Sequence, residues 1–132
     1  MRVRAWRAIV AGVWAASAGS GWAAVTEDQF HLRNLGDLIA LCSATQSDPL
    51  YTAASNFCHG FAVGVVQTLQ QEEAAARRSR PLFCLPTPMP SRNEAVASFV
   101  RWAQANPGQM SEPAPDGVAA YLSQQYPCSV SR

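Results

Sequence analysis

The chain has 132 residues, 48% hydrophobic and only 14% charged, with ten basic residues, all arginine, against nine acids for a formal charge of +1. That length leaves room for one ordinary domain. Arg2, Arg4 and Arg7 precede every acid, so from residue 24 onward seven arginines face nine carboxylates and the net charge is −2, which excludes a strongly basic nucleic-acid binder and any polybasic membrane-surface motif.

The first 23 residues read as a signal peptide. Three arginines lead a compact apolar stretch from Ala8 to Ala18, and small side chains at Gly21 and Ala23 suit the pockets of a signal peptidase. Cleavage is expected after Ala23, with Ala24 as the alternative. The stretch is too short for a membrane span, which needs roughly 20 apolar residues. Residues 24–132 then form a single domain.

Val25 to Arg33 is a polar lead-in. Leu35, Leu38, Ile39 and Cys42 fall at helical spacing and predict a short first helix, with Asn34 as its cap and Asp37 in its first turn; Thr26 with Gln29 offers a competing capping box. After a polar loop, Asp48-Pro49 reads as N-cap and first helical position of a second helix reaching about Arg77. Its apolar stripe is Cys58, Phe61, Val65 and Leu69, widened by Phe57 and Val66. Gly60 and Gly64 lie four apart beside it. Each costs about 1 kcal/mol in a helix interior, so the pair suggests a closely packed neighbouring backbone. Arg77, Arg78 and Arg80 read as a solvated helix end.

Four prolines between Ser79 and Pro90 forbid regular helix and predict an extended connection. Ser91 with Glu94 is a capping box that opens a third helix, whose buried face is Val96, Phe99, Val100 and Ala103 and which Pro107-Gly108 ends. A fourth helix starts between Glu112 and Asp116, turns Val118, Tyr121, Leu122 and Tyr126 inward, and stops at Pro127. The fold class is therefore all-α, a small four-helix antiparallel bundle.

Cys42, Cys58, Cys84 and Cys128 are even in number and widely spaced, which in an exported chain of this size means disulfides rather than zinc. Antiparallel packing brings the end of the first helix to the middle of the second, pairing Cys42 with Cys58. It brings the start of the third to the end of the fourth, pairing Cys84 with Cys128.

No active site is legible. His59 follows Cys58, but adjacent helical residues point about 100° apart, and Cys58 is better used in a disulfide. His31 stands alone in the lead-in. Asp37 with Asp48, and Glu72 with Glu73, lack the setting of a catalytic pair. No cofactor and no metal is expected, and the chain is not read as an enzyme. Trp102 departs from the stripe of the third helix and reads as an exposed aromatic suited to a partner interface.

The segments Asp37-Leu38 to Leu41-Cys42, NFCHGFAVG (Asn56 to Gly64), FCLP (Phe83 to Pro86), FVRWAQANP (Phe99 to Pro107) and YLSQQYPC (Tyr121 to Cys128), taken in order, resemble the Rap/Tai family of periplasmic immunity proteins. The resemblance covers nearly all of the mature chain. It implies a compact helical protein that neutralises a peptidoglycan amidase delivered by type VI secretion, blocking its active-site cleft, with a tendency to dimerise. No family motif marks the toxin-contacting residues. The proline-rich stretch, with Pro86 and Pro88, and the turn after the third helix, with Asn106 and Gln109, are the expected contact regions, with Trp102 as an anchor. A periplasmic acid-stress chaperone, or another small disulfide-bonded binding protein, is the competing class.

Overall fold

The computed structural model describes residues 23–76 and 80–129. The ascribed signal peptide lies outside the described residues except for Ala23, as do Arg77 and Arg78 of the basic cluster. A 3-10 helix, Glu27–His31, leads into α1 (Leu35–Cys42), followed by α2 (Tyr51–Ala76), α3 (Arg92–Ala105), a second 3-10 helix (Pro107–Ser111) and α4 (Ala114–Gln125). The all-α bundle expected from the sequence is what forms, and among the described residues there is no strand.

The local chemistry explains where each helix begins. The two competing starts near residue 30 both exist, for different elements. Gln29 accepts the Thr26 amide at 2.9 Å and opens the 3-10 turn, while Asn34 accepts the Asp37 amide at 3.0 Å and caps α1. Between them Leu32 takes a left-handed conformation (φ 51°), which ends the 3-10 turn. Asp48 heads a tight turn, and α2 begins two residues later than proline placement suggests. Its Oδ1 accepts the Leu50 amide at 2.8 Å, its backbone carbonyl accepts that of Tyr51, and α2 starts at Tyr51 rather than Pro49. Its other oxygen takes the Val25 amide at 2.6 Å and ties the lead-in to the α1–α2 loop. Ser91 and Glu94 form the expected capping box, which holds the Glu94 carboxyl below its ordinary pKa through hydrogen bonds from Ser91.

α1 is the centre of the molecule. Leu35, Leu38 and Leu41 are fully buried and Ile39 nearly so, because α2, α3, α4 and both 3-10 turns pack around this one short helix. A helix apolar on most of its circumference has to be enclosed in this way. Its one buried charge, Asp37, is answered by the Arg33 amide at 3.0 Å and the Arg33 Nε at 3.1 Å; Arg33 also pairs with Asp28. These carboxylates keep the Arg33 guanidinium firmly protonated, the Asp37 hydrogen bond contributing most. The main core joins α1 to Phe83, Phe99, Ala103, Val118, Tyr121 and Leu122, and the stripe of α2 covers it with half-buried side chains. A second cluster at the other end gathers Val25, Leu41 and Ala54, with Phe30 edge-on to Phe57 at 5.5 Å.

The glycines overturn one expectation. A Cβ at Gly60 or Gly64 would meet nothing within 4 Å, so no neighbouring backbone packs there. The close approach is at Gly117 of α4, where a Cβ would lie 2.6 Å from Leu35 Cδ2.

Both expected disulfides form. Cys42–Cys58 joins the end of α1 to the third turn of α2, and Cys84–Cys128 joins the extended segment before α3 to the chain just beyond α4. Loop closures of 16 and 44 residues stabilise the domain by roughly 3 and 4 kcal/mol in the chain-entropy account.

Candidate functional site

The groups with chemical potential are mostly committed to the fold. Cys58 is in a disulfide, so His59 has no thiol beside it. Asp37 and Asp48 hold backbone amides, and Glu73 accepts the Leu82 amide and pins the extended segment to the end of α2. Among the described residues no three His, Cys, Asp or Glu side chains gather as a metal site, and no helix is long and apolar enough to cross a membrane.

What remains is surface shape, and it is organised around the segment 80–90. Phe83 is buried in the core, Cys84 is bonded to Cys128, and the Cys84 amide donates to the Tyr126 carbonyl at 2.8 Å. These ties fix an extended chain on the outside of the bundle. Phe83 is its buried anchor, while Leu82 is 40% and Met89 66% exposed, the large apolar residues most open to solvent among the described residues. Pro88 is exposed beside Met89 and Pro86 half-buried, and both border a shallow depression against Glu94, Ser98 and Tyr126.

The five residues expected to contact a partner do not form one patch. Pro86 and Pro88 lie before the N-terminus of α3, whereas Asn106 and Gln109 follow its C-terminus. Fourteen residues at 1.5 Å rise separate the two groups by about 20 Å. Asn106 caps α3, its Nδ2 donating to the Trp102 carbonyl at 2.8 Å, and its own carbonyl accepts the Gln109 amide at 2.9 Å to start the 3-10 turn. Trp102 is half-buried rather than free. Its ring stacks on Phe99 (centroids 6.2 Å apart), meets Tyr121 at 5.7 Å, and donates its Nε1 proton to Gln124 Oε1 at 2.9 Å. The stripe missed it because Trp102 packs towards α4.

A half-enclosed apolar groove of about 380 Å³ runs between α2, the extended segment, α3 and α4. Val63 and Val66 form one wall, Leu85 and Met89 one edge, and Val96, Phe99 and Leu122 the floor. Tyr126 closes one side, edge-on to Tyr121 at 6.0 Å. Burial, and then its hydrogen bond with Tyr121, push the Tyr126 phenol up to about 12, so its hydroxyl stays neutral. Sequence reasoning missed this groove. Its walls come from four separate segments, and no periodicity in any one of them reports it.

Fold and disulfides together define a small, doubly clamped helical protein whose extended segment is tied to the bundle. The family profile of Rap1a immunity proteins matches residues 34–128, from the cap of α1 to the last cysteine. The chain belongs to the Rap1a immunity protein family. No curated protein and no solved structure matches it.

Proposed function

We propose that the mature chain acts in the periplasm as the immunity partner of a peptidoglycan amidase delivered by type VI secretion, and that it works by occluding the amidase's cleft. Membership of the immunity family carries the reading and favours it over an acid-stress chaperone. The arginine-led start supports export, and two disulfides suit an oxidising compartment. Occlusion requires a surface that is ordered before contact, because immobilising a mobile side chain costs about 0.5–1.5 kcal/mol.

The segment from Leu82 to Pro90 has that property, being held by Phe83, the Cys84–Cys128 bond and Glu73 while Met89 and Pro88 face outward. In this reading Pro86, Pro88 and Met89 meet the toxin first. Asn106 and Gln109 form a second, separate contact, and Trp102 stiffens the helix between them. Co-expression tests the proposal. The amidase encoded nearest the gene, exported to the periplasm, is expected to lyse cells alone and to be harmless when the full chain is co-produced. Equal lysis with and without the chain overturns it.

A further inference from the structure

We infer that the groove between α2 and α3–α4 is a binding site for a small amphiphile with an aliphatic chain and a single anionic head, of the chemical class of a medium- or long-chain fatty acid. This goes beyond the toxin-binding reading and does not depend on it. The volume, about 380 Å³, is in the range of small-molecule sites, roughly 300–1,000 Å³. The interior is aliphatic and aromatic: Val63, Val66, Leu85, Val96, Phe99 and Leu122. Among the described residues the polar groups that line it, the Tyr121 and Tyr126 hydroxyls included, carry no negative charge. His59, Gln67, Gln70 and Arg92 line the groove, and no carboxylate does.

Arg92 is the only arginine among the lining residues, and it opens α3, where the helix dipole also favours an anion. It forms no ion pair among the described residues. The nearest acid in sequence, Glu94, is engaged by Ser91 at 2.7 and 2.8 Å and borders the neighbouring depression instead. An aliphatic chain on Val63 to Leu122 with its carboxylate at Arg92 satisfies both halves of the site. A neutral alcohol of equal length satisfies only one. The walls need little reorganisation, since the Cys84–Cys128 bond and the Phe99–Tyr121–Tyr126 ring contacts hold two sides in place.

The test uses the purified mature chain without any toxin, so its outcome is separate from that of the immunity reading. Titration with 11-(dansylamino)undecanoic acid is expected to give saturable fluorescence enhancement at one probe per chain. Dodecanoate should displace the probe about tenfold better than dodecanol, the difference a charge-assisted contact of about 1.4 kcal/mol produces. Arg92→Gln should remove that preference and leave dodecanol unchanged. Val63→Trp fills the wall and should abolish binding. Gln67→Trp, at an exposed position of the same wall, gives the same readout if Val63→Trp does not fold. No saturable binding overturns the proposal, as does equal displacement by acid and alcohol, or binding that survives the groove-filling variants. A chain that elutes as a dimer, loses the dimer in Val63→Trp and binds no dodecanoate assigns the groove to a second copy and overturns it too.

Discussion

Three glycines allow the packing to be tested by one substitution with opposite signs. Replacing glycine by alanine inside a helix gains about 1 kcal/mol from propensity wherever the new methyl has room. At Gly60 and Gly64 nothing lies within 4 Å of the added Cβ, so each variant should be stabilised by about that amount. At Gly117 the Cβ would sit 2.6 and 2.7 Å from the two methyls of Leu35, which is fully buried on the central helix and cannot swing aside. Overpacking costs about 1–3 kcal/mol, and contact under 3 Å with both methyls of a fully buried side chain puts this case at about 2–3 kcal/mol. Less the propensity gain, Gly117→Ala should lose about 1–2 kcal/mol. At about 4 °C per kcal/mol for a domain of this size, the melting temperature should rise by about 4 °C for Gly60→Ala and Gly64→Ala. It should fall by about 4–8 °C for Gly117→Ala. Thermal unfolding by circular dichroism, with urea midpoints as a second measure, reads all three. A stabilised Gly117→Ala, or a destabilised Gly64→Ala, would refute the packing of α4 on α1 and the open face of α2.

Asp48→Ala removes the acceptor of both the Val25 and Leu50 amides and should cost about 1–3 kcal/mol in urea unfolding, whereas Asp48→Asn, which keeps one acceptor oxygen, should cost less. Opening the longer disulfide with Cys84→Ser/Cys128→Ser should destabilise more than Cys42→Ser/Cys58→Ser, by about 1 kcal/mol on loop length; non-reducing peptide mapping of the wild type should recover only these two linkages. The raised Tyr126 phenol keeps its proton in the folded chain while the unfolded chain releases it near pH 10, so the folded state binds more protons and stability should fall as pH rises from about 10 to 12. Tyr126→Phe should flatten that fall and remove the last phenol ionisation seen by ultraviolet titration.

Local chemistry was legible in the sequence. Ser91 with Glu94, Asn34 before Asp37, and the early prolines of the fourth helix act within one turn, so the residues name the element start directly. The disulfides followed once helix order was known, because chain direction alone decides which cysteines can meet. Features set by tertiary packing were not legible. Gly60 and Gly64 look like a close-packing motif, yet their side of α2 faces open space, while Gly117, unremarked in the sequence, lies against Leu35. Nothing in an eight-residue apolar helix states that three others will surround it. Trp102 departs from the periodicity of its own helix because its partners, Tyr121 and Gln124, belong to α4. The expected contact residues divide between the two ends of α3, a separation that needs the helix length and the fold to be seen.

The central claim is that the chain inhibits a cell-wall amidase by covering its cleft. It is tested most directly by titrating the purified mature chain into the neighbouring amidase while following cleavage of peptidoglycan. Activity should fall linearly to zero at a fixed stoichiometry, with a stable complex on gel filtration, and Met89→Asp should weaken that complex without lowering the chain's melting temperature. Undiminished cleavage at a molar excess of the chain, with the two proteins eluting separately, would contradict it.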